Sequence, residues 1–364
     1  MSITNELFNQ IESGRKGDSW GLTMGMPKFE QYVDGVTKGT FTLLFGASGS
    51  GKTSYALYAY IYRPLMDNLD NDNFSVIYYS LEMSRSILLG KLLSIYIAET
   101  FNCEISIKEM LGKNRNKQLS DEQYNIIQKG KEWLEKIESK ILLYDKALNA
   151  DVMYSHLMKY LQQNGEFETR GNLITYHPKN SKKIILVIID HMGLLRSAKG
   201  RTKKQEIDLA CEYLLNLRNT CGISPLTIMQ VNRDSSGMDR RNGGFAELQR
   251  SDVKDSGGPE EACDVMIAIY DPLRDRMTSH RGYDIPQLQK KYRSIILLKS
   301  RYGEGDVAVG TVFHGKVGIW QELPRPTDII DYTQHLNFTT TNTGGNTEIA
   351  IDNTKESKKS KLTL

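Results

Sequence analysis

Gly46-Ala47-Ser48-Gly49-Ser50-Gly51-Lys52-Thr53 matches the spacing GxxxxGK[ST], and the residues on either side decide what it means. The apolar run Thr40 to Phe45 precedes it and a helical stretch follows, so the glycines occupy a turn between a strand and a helix. Glycines in such a turn let backbone N–H groups face inward around phosphate oxygens, and the helix N-terminus adds a favourable dipole. Lys52 then reaches the β- and γ-phosphates of a nucleoside triphosphate, and Thr53 ligates Mg²⁺. The plainer alternative is a glycine-rich turn that holds nothing.

Between Thr40 and Glu322, short β-branched runs alternate with amphipathic helical stretches. That is the pattern of an α/β fold, a mostly parallel sheet flanked by helices. Beyond Thr40–Phe45, strands are predicted at Phe74–Ser80, Ile141–Tyr144, Ile184–Ile189, Leu226–Val231, Val265–Tyr270 and Ser294–Lys299. Ser120 with Gln123 makes a capping box for a helix running toward Ser139, and Asn149 caps another that Gly165 can terminate. Val307 to Leu323 holds two short strands around His314-Gly315-Lys316, a C-terminal antiparallel hairpin at the sheet edge. Arg233 to Arg250 and Asp271 to Lys291 are loop-like.

The chain has 364 residues, 39% hydrophobic and 25% charged, which excludes a fibrous or wholly disordered protein. A formal charge of +3 is too small to argue for a polyanionic partner by itself. Cys103, Cys211, Cys221 and Cys263 form no CxxC or Cys/His cluster, so neither a zinc module nor a disulfide scaffold is expected. No run is long enough to cross a bilayer and no signal peptide opens the chain, so a soluble, cytoplasmic protein without membrane contact is the expectation. Residues 333–364 are polar, rich in Thr and Asn with a lysine cluster, and read as a disordered tail.

Mg²⁺ on a triphosphate wants a carboxylate at the tip of a neighbouring strand. Asp190 ends the most apolar strand, where a charge is otherwise expensive, and is the Walker B candidate; capping the next turn is the alternative. Glu82 closes the strand after the phosphate-loop helix, on the same sheet edge, as the general base for water or as a carboxylate at the start of the next helix. Gln230 ends another strand and can contact a γ-phosphate or simply cap the sheet.

The segments GASGSGKT, IYYSLEM, ILVIIDHMGLL, LTIMQVNR, RSDVKDSGGPEEACDVMIAIYDP and IILLKSRYG, in that order, resemble the replicative hexameric helicases typified by DnaB, a RecA-like P-loop NTPase family. The resemblance covers about Gly21 to Glu322. It implies a DNA helicase that uses ATP and Mg²⁺, forms a homohexamer, translocates 5′ to 3′ on single-stranded DNA in a bacterial or phage-infected cell, and has a primase or helicase loader as partner. It also implies that Gly46 to Thr53 and Asp190 bind the nucleotide, with Thr53 and Asp190 on the metal. Glu82 becomes the base and Gln230 a γ-phosphate sensor linked to DNA loops. Lys299 and Arg301 match a Lys-x-Arg finger that reaches the neighbouring subunit's site. Lys254, Asp255 and Gly257 fall where the family holds the single-strand backbone. Arg233 opens a loop with four arginines, which is either a solvated surface or, in a ring channel, a source of DNA affinity.

The chain departs from the family at His191 (usually Tyr), Met229 (usually Ser), Lys254 (usually Arg) and in an apparent insertion, Glu166 to Lys183. The family's helical N-terminal domain is expected to be missing. Within residues 1–20, Asn5–Ser13 supplies either a helix with Leu7, Phe8 and Ile11 on one face that docks on an adjacent subunit, or a frayed terminus. Residues 21–332 are the motor domain. The rival functions are a RecA- or RadA-like recombinase and an ATP-switched DNA clamp or loading factor.

Overall fold

Every residue of Thr42–Gly46, Phe74–Ser80, Ile184–Asp190 and Val265–Tyr270 is buried, and strands of this kind need cover on both faces. The computed structural model describes residues 3–17, 21–113, 115, 118–171, 173–232, 247–254, 257–301 and 303–338. Its strands are β1 (Thr42–Gly46), β2 (Phe74–Ser80), β3 (Ile141–Tyr144), β4 (Gly165–Arg170), β5 (Leu173–Pro178), β6 (Ile184–Asp190), β7 (Ser224–Gln230), β8 (Val265–Tyr270), β9 (Ser279–His280), β10 (Tyr283–Asp284), β11 (Tyr292–Ser300), β12 (Val307–His314) and β13 (Ile319–Glu322). One nine-stranded sheet has the order β13-β12-β11-β8-β1-β7-β6-β2-β3. The strands from β8 to β3 in that order run parallel; β11, β12 and β13 add antiparallel.

The period-2 alternation of the strands divides the core in two. Leu44, Val76, Tyr78, Leu186 and Ile188 face the helical run 52–66 and the helices Arg85–Phe101 and Asp121–Glu138. Leu43, Phe45, Ile77, Val187 and Ile189 face the helices Ala150–Asn164 and Lys203–Cys221. The predicted caps form: Ser120 and Gln123 exchange both capping-box hydrogen bonds, and the Asn149 side chain accepts from Val152 N–H.

Three expectations change. Gly165 does end the helix that Asn149 caps, but at φ −178° it is extended and opens β4. It is needed because β5 lies so close that a Cβ would come 2.5 Å from the Tyr176 ring. The apparent insertion is therefore a β4–β5 hairpin, whose polar strands GEFETR and LITYHP hide the alternation. The stretch Asp271 to Lys291 carries the β9–β10 pair and a short helix, Ile285–Leu288, which bury Tyr283, Ile285 and Leu288. The start of the expected tail is ordered: Thr333–Leu336 is helical, Leu336 packs on the Tyr283 cluster and Phe338 meets His314 edge-on at 5.6 Å. Residues 339–364 lie outside the described residues. Among the described residues no helix is long and apolar enough to cross a membrane.

The C-terminal hairpin β12–β13 does more than extend the sheet. Trp320 is fully buried, stacks on Phe313 at 4.5 Å and meets Tyr55 edge-on at 5.3 Å, so it joins the hairpin to the helix behind the phosphate loop. Trp320→Ala is expected to destabilise the fold by about 3–5 kcal/mol, from lost burial and the cavity left behind. Urea unfolding followed by circular dichroism measures it; a loss below about 1 kcal/mol would show that the hairpin is not part of the cooperative core.

Candidate active site

The register of the parallel strands brings the predicted residues to one edge. Gly46 is level with Gln230 across the β1–β7 pair, and Ser80 is level with Asp190 across β2–β6. Gly49 and Gly51 have φ of +77° and +105°, which an L side chain rarely adopts. A Cβ on Gly51 would also come 2.7 Å from the Trp320 ring.

Lys52 is buried and donates to the carbonyls of Gly46 (2.9 Å) and Ala47 (2.8 Å). Burial lowers its ammonium to about 8, opposed by the charges of Asp190 and Glu82. Thr53 Oγ1 donates to Asp190 Oδ2 at 2.7 Å, and Tyr78 OH donates to the same oxygen at 2.8 Å. Burial raises the Asp190 carboxyl, and these two hydrogen bonds counter it. Ser50 Oγ is buried without a hydrogen-bond partner. An inward-turned loop, an orphaned hydroxyl, a desolvated ammonium and a hydroxyl–carboxylate pair fit a triphosphate with Mg²⁺, which takes one or two carboxylates together with phosphate oxygens. Thr53 and Asp190 are the residues that would hold the metal.

Glu82 is exposed in the turn between β2 and the helix Arg85–Phe101, close enough for its charge to act on Lys52, Asp190 and His191. Gln230 Nε2 lies 3.4 Å from His191 Nε2. Burial lowers the proton affinity of His191. Met229 points the other way, into the core beneath the opposite face, so this departure is a packing residue. Lys254 is exposed, and its backbone N–H donates to the Gln230 carbonyl at 3.0 Å, next to the Val231–Val253 bridge. Gly257 begins the short helix Gly257–Ala262. Arg233 and Asp255 lie outside the described residues.

Lys299 and Arg301 are elsewhere. Antiparallel β11 pairs Lys299 with Met266 and Ser300 with Val265, at the end of the sheet away from Gly46, which is level with Ile269. The offset is roughly 10 Å along β8 at about 3.3 Å per residue, beyond the two-strand lateral separation. A β-bulge between Leu297 and Lys299 re-aims the strand end. Lys299 Nζ donates to Glu260 O at 2.7 Å, and the half-exposed Arg301 pairs with Asp264 at 3.0 Å.

Sequence reasoning does not single out two arginines that touch the phosphate loop: Arg274 donates to Ser48 O at 2.8 Å and Arg293 to Ser50 O at 3.0 Å. Both contacts span more than two hundred residues, and no local spacing announces them. Tyr78 reads only as a strand residue.

A family model, the DnaB-like helicase C terminal domain, matches residues 21–321. The chain is 25% identical over 310 residues to the replicative DNA helicase DnaB of Helicobacter pylori strain J99 / ATCC 700824, covering 84% of this chain and 53% of that protein. To DnaB of Helicobacter pylori strain ATCC 700392 / 26695 it is 24% identical over 263 residues, covering 71% and 46%. It thus spans about half the length of the curated relatives it matches. Among solved structures, one described as an ATPase domain superposes with a TM-score of 0.67 at 18% identity, covering 89% of this chain and 99% of that one. A DnaB-like replicative helicase, described with its interactions with primase, superposes at 0.64 and 19% identity, covering 89% and 67%. These likenesses are of fold. By the extent of the family match, this chain belongs to the DnaB-like helicases, through their C-terminal domain.

Proposed function

We propose that the chain is the ATP-driven motor of a replicative DNA helicase, with residues 21–332 as the motor domain of a homohexameric ring that moves 5′ to 3′ on single-stranded DNA. The observation that supports this reading is that the two residues matching the family's finger stand apart from the phosphate loop of their own chain. The phosphate loop, Asp190 and Glu82 share one sheet edge, while Lys299 and Arg301 close β11 at the other end. In the proposed ring, Lys299 and Arg301 of a neighbouring copy reach this site.

In this mechanism the loop N–H groups and Lys52 hold the β- and γ-phosphates of ATP, and Glu82 takes a proton from the attacking water. Thr53 and Asp190 would hold Mg²⁺, which when bound would supply charge neutralisation for phosphoryl transfer. Gln230 senses the γ-phosphate, and its carbonyl contact with Lys254 N–H links that sensing to Lys254, which with Arg233, Asp255 and Gly257 is assigned to the single strand by the family resemblance. Helix Ile3–Arg15 leaves Leu7, Phe8 and Ile11 more than half exposed, which supports docking of residues 1–20 on an adjacent subunit. A primase is the proposed partner, since a structural relative is described with one.

Three outcomes are expected. Lys52→Ala weakens nucleotide binding and abolishes turnover, whereas Glu82→Gln binds ATP normally and turns it over at least a hundredfold more slowly, within the range of roughly 10²–10⁴ for a general base; parental turnover in Glu82→Gln would remove it as the base. Arg301→Ala alone loses most DNA-stimulated ATPase, since a finger in trans contributes a factor of about 10³–10⁵. Mixed with Lys52→Ala under subunit exchange it recovers part of that activity, and no recovery, or normal turnover of Arg301→Ala alone, would refute the shared site. Single-strand affinity measured by fluorescence anisotropy falls steeply with salt and shows little sequence preference; a flat salt response would remove the basic path. Filaments that exchange strands, in place of rings that unwind forked duplex, would favour the recombinase.

A further inference from the structure

Arg293, the second residue of β11, has its side chain inside the protein, 7% exposed. A guanidinium in that position needs acceptors for its donors, and each one it finds has a consequence. Nε donates to the Ser50 carbonyl at 3.0 Å, Nη1 to the carbonyls of Lys290 (2.9 Å) and Tyr292 (2.6 Å), and Nη2 pairs with Asp271 at 3.1 Å. The guanidinium also lies 5.9 Å over the Phe313 ring. Phe313 stacks on Trp320, whose ring edge closes against Gly51. Ser50 and Gly51 are thus held from behind by one layer: a hydrogen bond to the first and an aromatic wall against the second.

This layer bears on ligand binding because phosphate recognition depends on backbone N–H direction. The peptide unit whose carbonyl points back at Arg293 carries the N–H of Gly51, so orienting that carbonyl outward turns the N–H toward the cradle. We propose that Arg293 is a positioning residue for the nucleotide: it pre-orients the phosphate loop of its own chain by fixing the Ser50–Gly51 peptide, without touching the nucleotide. Asp271 is the partner that fixes the guanidinium. The proposal deepens the reading of Gly46–Thr53 as the nucleotide site and rests on it. It also gives β11 two duties, since its start sets Arg293 against its own chain's loop while its far end carries Lys299, with Arg301 just beyond, on the opposite side.

The test uses the full chain with Mg²⁺ and a fluorescent ADP analogue as the probe. Arg293→Met is expected to raise the Kd of the probe about ten- to a hundredfold, the range for loss of one charge-assisted hydrogen bond. KM for ATP rises by a similar factor while kcat at saturation stays within about threefold, the split expected when a binding geometry is lost and the chemistry is kept. Arg293→Lys recovers only part of the affinity, because one ammonium cannot reach Ser50 O and Asp271 in the fork geometry of a guanidinium. Asp271→Asn, which keeps the arginine in place, gives a smaller loss in the same direction and covers the case in which Arg293→Met folds poorly. At sub-saturating ATP, Arg293→Met mixed with Arg301→Ala recovers ATPase, whereas mixed with Lys52→Ala it does not, because Arg293 and Lys52 serve the same loop. A Kd within twofold of the parent in both Arg293→Met and Asp271→Asn, a fall in kcat without a change in Kd, or recovery with Lys52→Ala would overturn the proposal. Failure of the control pair Lys52→Ala with Arg301→Ala would instead refute the ring reading and leave the probe-binding result to decide on Arg293.

Discussion

A carboxylate sits at the end of the most hydrophobic strand in the molecule, and most of the site follows from making that position tolerable. Asp190 is 2% exposed. Its charge is sheltered by hydroxyl donors from two other elements, Thr53 at the start of the phosphate-loop helix and Tyr78 on β2. Donors to an ionised buried group are worth more than ordinary hydrogen bonds, and leaving the group unpaired is costlier still. Satisfying Asp190 therefore fixes the register of β6 against β2 and the rotation of the helix that presents Lys52. The same geometry prepares a hydroxyl and a carboxylate oxygen as neighbours, the pair Mg²⁺ needs.

The sheet separates two kinds of chemistry by its ends. The parallel strands all finish at the edge where Gly46, Ser80, Asp190 and Gln230 collect. β11 runs the other way, so its last residues emerge at the opposite edge. A parallel β11 would have delivered Lys299 and Arg301 to the same sheet edge as their own phosphate loop. The antiparallel addition separates Lys299 and Arg301 from their own chain's phosphate loop, and under the proposed reading an assembly of identical chains would bring the two together.

The fold was legible where burial is uniform and local. Runs such as Ile184–Asp190 read as strands because both faces are covered, and Gly46–Thr53 reads as a phosphate loop because its chemistry lies within eight consecutive residues. Boundaries slip by one or two residues, as at β7, which starts at Ser224 where the pattern predicts Leu226. The β4–β5 hairpin was hidden because Glu166, Glu168 and Arg170 leave little hydrophobic alternation. The contacts of Arg293 with Ser50 and of Lys254 with Gln230 were hidden for another reason. They join a side chain or an amide to a backbone carbonyl, and any residue supplies a carbonyl, so the partner leaves no trace in the sequence.

The platform beneath the phosphate loop explains the unusual density of tyrosines after it. Tyr55, Tyr58, Tyr60 and Tyr62 are all buried in a helical run whose middle, Ala56–Tyr62, is π-helical. A π-helical segment offers weaker backbone geometry than an α-helix, so its persistence requires support from outside. That support is present on each side. Tyr58 OH donates to Glu99, which also pairs with Arg63 at 3.0 Å; Tyr58 stacks on Tyr62; and Tyr55 meets Trp320. The helix that aims Lys52 and Thr53 is thus clamped by α/β core on one side and by the C-terminal hairpin on the other. Because Trp320 also backs Gly51, and Arg293 reaches Ser50 through the same aromatic layer, the loop and its helix share one support.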